Sequence, residues 1–133
     1  MKKQNLLILF ALFVSVFAFN ACKDDDDDHG TDTTTPVLII EEPAEGESIS
    51  GEVHIHGKAT DESLHEMEIK VTQDSDDSEL FKATPTVHDE TEYHFDEHFT
   101  PTVAAETPVT LTITVEDHSD NVTTKTVKFK VKP

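Results

Sequence analysis

Between Val53 and Val131 the apolar residues recur at every second position, not every third or fourth. Val53 and Ile55 alternate with His54 and His56. Met67, Ile69 and Val71 alternate with Glu66, Glu68, Lys70 and Thr72. Tyr93 and Phe95 alternate with His94 and Asp96, Leu111, Ile113 and Val115 with Thr110, Thr112 and Thr114, and Val127, Phe129 and Val131 with Thr126, Lys128 and Lys130. A period of two puts one class of side chain on each face of an extended chain, which is the signature of half-buried strands. Thr and β-branched residues dominate these runs, as strands prefer. Val37–Ile40 reads as a first strand, and Leu80-Phe81 and Val87 read as short extra ones. Turn formers separate the runs at 45–47, 60–63, 73–78 and 117–121. No segment carries a long helical period. The expected fold is all-β over residues 36–133, a two-sheet sandwich of about seven strands, with barrel closure as the alternative.

The N-terminal region has a different composition. Lys2 and Lys3 precede the apolar run Leu6–Phe19, which is broken only by Ser15. That run is shorter than the roughly 20 residues needed to span a bilayer, and it suits the core of a secretory signal peptide. It ends at Ala21-Cys22, which is the only cysteine of the chain. Lys23, Asp24, Asp25, Asp26, Asp27 and Asp28 follow, and then a Gly/Thr-rich stretch to Thr35. Consecutive carboxylates repel one another and do not pack, so 22–35 reads as a solvated tether.

Charge narrows the function classes. There are 28 Asp+Glu against 10 Lys+Arg, a net charge of −18, and every basic residue is Lys. Such a field repels polyphosphates, which argues against nucleic-acid binding. Without Arg there is no planar fork to clamp a carboxylate or phosphate. With no Trp and one Tyr, Tyr93, an aromatic platform for stacking sugars is not expected. A lone Cys makes neither an intrachain disulfide nor a thiolate metal cluster.

Three features carry a resemblance. Cys22 after a small residue at the end of an apolar run resembles the lipobox of bacterial lipoproteins. Phe19 and Asn20 depart from the usual lipobox residues. The resemblance implies cleavage before Cys22, acylation of its thiol and amine, and anchoring to outer-membrane lipid; several acyl chains hold far better than one. Cys22 followed by Lys23 and Asp24–Asp28 is similar to surface-exposed lipoproteins of the Bacteroidota type, in which the acidic stretch acts as a surface-export signal. Display on the outer face of the outer membrane is therefore expected, with its periplasmic face as the alternative. The segment Thr112–Val131 looks like the last hairpin of bacterial immunoglobulin-like domains, with Asp120 where Gly is common before Asn121. Asp tolerates the left-handed conformation better than most residues. The organisation implied is a signal peptide over 1–21, a lipidated acidic tether over 22–35 and an immunoglobulin-like sandwich over 36–133. The whole chain also resembles a family of short lipoproteins of that type with one His-bearing sandwich, and that family brings no activity with it.

The eight histidines are the candidate chemistry. If Val53 and Ile55 face the core, His54 and His56 face outward together. If Tyr93 and Phe95 face the core, His94, Asp96 and His98 share an outer face, although Glu97 then falls on the core phase and implies a bulge or the strand end. In an immunoglobulin-like sandwich the second and fifth strands are antiparallel neighbours. Assigning 52–57 and 92–99 to them gathers His54, His56, His94 and His98 on one exposed face, with Asp96 as an oxygen ligand or ring-orienting partner. Imidazoles without thiolates favour Zn²⁺, Cu²⁺ or Ni²⁺. The other readings of the same residues are a plain polar face on an acidic protein, and a proton-linked switch. His65 and His118 fall in expected loops, which leaves their placement open. Asp117, Asp120 and Asn121 are candidate Ca²⁺ ligands or ordinary turn formers. Lys128, Lys130 and Lys132 share the outer face of the last strand, as edge protection or as a docking stripe for an acidic partner.

The expected function is that of a non-catalytic binding or accessory module, with metal taken by outer-face histidines. The alternative is a structural or adhesive display domain with a protein partner and no metal. An enzyme is not expected: a zinc hydrolase needs three ligands, an open position, a base and a cleft, and no nucleophile setting is visible.

Overall fold

The computed structural model describes residues 32–133. The Leu6–Phe19 run, Cys22, Lys23, Asp24–Asp28 and His29 lie outside the described residues. Eight strands follow one another: β1 (Val37–Glu42), β2 (Ser48–Ser50), β3 (Val53–Thr60), β4 (Leu64–Gln73), β5 (Glu79–Ala83), β6 (Glu92–Phe99), β7 (Thr107–Asp117) and β8 (Val122–Lys132). Among the described residues there is no helix.

The strands form two sheets, β1-β3-β6 and β2-β8-β7-β4-β5. This is an immunoglobulin-like sandwich, not a closed barrel. The chain begins in the small sheet with β1 and crosses to the large one with β2, which lies parallel to the end of β8. All other pairings are antiparallel. The core lies where the alternation puts it. Leu38, Val53, Ile55, Ala59 and Phe95 face inward from the small sheet, and Met67, Ile69, Val71, Val109, Leu111, Ile113, Val115, Phe129 and Val131 from the large one.

Gly57 occupies an inward position opposite Phe95. A Cβ there would collide with the Ile39 carbonyl oxygen and the Phe95 ring. The missing side chain is what lets that ring lie close against β3.

Two expectations need correction. Val87 lies on no strand: it sits in the loop between β5 and β6 and anchors it, its side chain buried in the core. Of the bulge or strand end implied by Glu97, it is the strand end that lies nearby, at Phe99. The β3–β6 register runs unbroken from Val53↔Phe99 to Thr60↔Glu92. Glu97 is tolerated on the inward phase because β6 is an edge strand, where its carboxylate stays partly solvated. The last strand is also less of an edge than its lysines suggest, because β2 covers Lys130–Lys132. The Glu106 carboxylate sits 3.2 Å from the Lys130 amine and 3.3 Å from that of Lys132. Hydrogen bonds from those two lysines and Ser48 hold it below the usual carboxylate range.

Candidate metal centre

The unbroken β3–β6 register places the outer-face residues. His54 lies opposite His98, His56 opposite Asp96, and Lys58 opposite His94. The five expected ligands, His54, His56, His94, His98 and Asp96, share one face but do not converge on one point. The His54 and His98 rings meet edge-on, with centroids 4.4 Å apart. His56 turns to β1, where its Nδ1 lies 2.8 Å from Glu41. His94 turns to its own strand, where its Nε2 is 3.1 Å from Glu92. The Glu92 carboxyl is held below its ordinary range by that contact and by Lys58. Asp96 holds His98, with 3.2 Å between its Oδ1 and Nε2. The third group beside His54 and His98 is Glu52, just ahead of β3.

A denser cluster stands at the opposite end of the sandwich, built from His65, His88 and His118. Three segments far apart in sequence deliver it, each fixed by backbone hydrogen bonds. The register between β4 and β7 slips between Leu64 and Glu66, so His65 is the extra residue of a bulge, a device that re-aims a side chain. The Leu64 N–H donates to the Glu90 carbonyl at 2.9 Å, and the Asp89 N–H donates to the Leu64 carbonyl at 2.9 Å, which docks the loop carrying His88. The His118 N–H donates to the Ser63 carbonyl at 3.0 Å, which docks the β7–β8 turn.

The result is a triangle of imidazoles. Ring centroids are 4.4 Å apart for His65–His118, 4.5 Å for His88–His118 and 5.2 Å for His65–His88. Nδ1 of His65 and Nδ1 of His118 lie 3.2 Å apart. Two nitrogens at that separation, each bonded to one ion at about 2.0–2.1 Å, subtend about 100° at it, close to a tetrahedral angle. One donor atom from each of the three rings lies within 4.8 Å of the others.

Around the triangle stands a carboxylate shell. Asp89 is 3.0 Å from His118 Nε2 and 3.5 Å from His88 Nε2. Glu66 is 3.7 Å from His65 Nε2. A carboxylate on the far nitrogen fixes ring orientation and leaves the near nitrogen free to ligate. Asp89 reaches both rings from a left-handed backbone, φ 65°, a conformation that costs an L-residue about 1 kcal/mol or more. His65 and His118 are also the more sheltered rings, 35% and 33% exposed against 50% for His54.

The turn behind His118 is held by Asp117, which is buried. Its Oδ1 accepts from the Ser119 and Asn121 N–H groups at 2.7 and 2.9 Å, and its Oδ2 accepts from Asn121 Nδ2 at 2.8 Å. Burial alone would push this carboxyl up, but the hydrogen bonds from Asn121 and Ser119 outweigh it and hold it below the usual Asp value. Asp120 takes φ 63° next to it, as the turn requires. Asp117 and Asn121 are thus occupied as turn formers. The same end receives the incoming chain, since Asn121 Nδ2 also donates to the Asp32 carbonyl and Thr123 Oγ1 donates to that of Pro36.

The alternation that revealed the strands could not reveal this cluster. His65 sits on a bulge, and His88 and His118 sit in loops, so no period links them. The available signal was weak: histidines flanking expected turns.

No protein-family model matches the chain, and no curated protein matches it. Among solved structures the chain is similar to an engineered protein known from a crystal structure, at 15% identity and a TM-score of 0.55, over 74% of this chain and 20% of that one. It is also similar to CopC from Methylosinus trichosporium OB3b, at 13% identity and a TM-score of 0.48, over 74% of this chain and 94% of that one. The chain therefore spans one fifth of the engineered protein, and what the two share is the fold of the sandwich.

Proposed function

We propose that this chain is an exported, lipid-anchored lipoprotein displayed at the outer-membrane surface, working as a non-catalytic module that captures a divalent transition-metal ion. The observation that carries the metal reading is the triangle of His65, His88 and His118 with Asp89 behind it. Three imidazoles suit Zn²⁺, Cu²⁺ or Ni²⁺. They leave a fourth position for water or a donor from a partner. The surrounding net charge of −18 raises the local concentration of cations. Support for anchoring and display lies in Cys22 after Ala21, with Lys23 and Asp24–Asp28 behind it.

Calorimetric titration of the full chain in detergent with Zn²⁺, Cu²⁺ and Ni²⁺ tests the metal reading. One equivalent bound at micromolar affinity or tighter, lost in the His65→Ala/His118→Ala variant, is the expected result. Binding that ignores those substitutions rejects it. The alternative is a display domain with a protein partner. Its support is β1, which pairs on one side only among the described residues and keeps Val37 and Ile39 exposed.

A further inference from the structure

We propose that Glu52, His54 and His98 form a second divalent-metal site, of mixed nitrogen and oxygen donors, at the end of the sandwich opposite the three-histidine cluster. It rests on the β3–β6 ladder and on Glu52 just ahead of it, and stands whether or not the His65 cluster binds an ion.

The ladder supplies the two nitrogens. His54 and His98 are directly opposed across two antiparallel strands, so their Cβ atoms are held about 4.5–5.5 Å apart by the sheet itself. Gly51, at φ 81°, turns the chain just before β3, and Glu52 follows it. The Glu52 Oε1 atom lies 3.4 Å from His54 Nε2 and 3.8 Å from His98 Nδ1. One donor atom from each of the three residues lies within 4.8 Å of the other two. An ion with bonds of about 2.0–2.2 Å fits among them after small rotations of exposed side chains.

Asp96 decides which nitrogen of His98 is available. Its Oδ1 sits 3.2 Å from Nε2 of that ring. A proton on Nε2 satisfies the carboxylate and turns the Nδ1 lone pair toward Glu52 and His54. This is the carboxylate–histidine–metal arrangement, and Asp96 is its positioning residue.

Beside Glu52 and His54 lies a recess of about 110 Å³. Glu42 and Glu47 also line it. It has room for the waters that complete a coordination shell. Two imidazoles and a carboxylate make a harder donor set than three imidazoles. The ligand class is a divalent first-row ion that keeps bound water.

The test uses the full chain in detergent, carrying His65→Ala/His118→Ala so that the other cluster is silent. Zn²⁺ alone is the probe, read by calorimetry and by the ring resonances of His54 and His98. The expected result is one weaker equivalent that shifts both rings. Adding His54→Ala/His98→Ala abolishes it. Adding Asp96→Asn instead weakens it about tenfold without changing the number of ions bound. These side chains are exposed, and an unchanged thermal midpoint checks that the fold is intact. Binding that leaves both rings unshifted, binding that survives His54→Ala/His98→Ala, or no binding at all overturns the proposal. Failure of the three-histidine reading has a different signature: a wild-type chain that binds one ion and loses it with His54→Ala/His98→Ala.

Discussion

The two ends of this sandwich bring histidines together by different means. On the outer face of the small sheet, one rung of one ladder suffices: His54 faces His98 because Val53 faces Phe99 and Ile55 faces Glu97. At the other end, a bulge, a loop and a turn each contribute one ring, and backbone bonds from Leu64, Asp89 and His118 join them. A ladder places pairs cheaply, but it spreads further residues along the strand; hence His56 and His94 go to Glu41 and Glu92. Converging loops place three donors about one point. The difference shows that a regular sheet is good at pairing and poor at enclosing.

The contrast can be broken from the ladder side first. Gly57→Ala forces a methyl group against Phe95 and the Ile39 carbonyl. It should lower stability by about 3 kcal/mol, read by chemical denaturation. In the fraction that stays folded it should disturb the His54–His98 rung more than the distant cluster, which ring resonances would register. From the loop side, His118→Ala should weaken Zn²⁺ binding at the three-histidine cluster about a hundredfold, equivalent to about 2.7 kcal/mol, while the His54 and His98 resonances stay in place.

Asp117→Ala tests the turn itself. It removes the acceptor of three hydrogen bonds in a buried setting and should cost about 2 kcal/mol. Because the folded-state pKa of Asp117 lies below its unfolded value of about 3.9, its contribution is present above that value and is lost as pH falls through the folded pKa. Below about pH 4, therefore, the thermal midpoint of the parent chain should fall more steeply than that of Asp117→Ala. The smallest effect sharpens the comparison. Asp89→Asn keeps the shape but weakens the orienting carboxylate of His118 and His88, and should reduce affinity at that cluster about tenfold in calorimetry.

The strands and their faces were legible because a period of two is written into neighbouring residues, whereas the pairing of 52–57 with 92–99 came from the resemblance to immunoglobulin-like domains. That pairing put His54, His56, His94 and His98 on one face, but the rung that sets His54 against His98 needed the register. Glu52 shares the outward phase of His54 and fell inside the assigned strand, but it was missed because one carboxylate among 28 Asp+Glu carries no signal of its own. His65 was misplaced into a loop because a bulge shifts one residue out of phase. His88 and His118 were beyond reach because their approach depends on which carbonyl accepts from which amide across the end of the sandwich. The lysines of β8 read as edge protection because β2 has only three residues, Ser48–Ser50, too few to show a period.

The hydrogen bond from Asn121 to the Asp32 carbonyl gives the domain a head and a foot. Asp32 sits at the end that carries His118, whereas β8 runs to the other pole, where Ser50 pairs with Lys132. From His54 to Thr60 along β3 is about 20 Å. A fluorophore attached at Asp32 would thus act as a short-range gauge of the foot, dimmed by a quenching ion held among His65, His88 and His118 and far less by one held beside Glu52. A label after Pro133 would report in the opposite order.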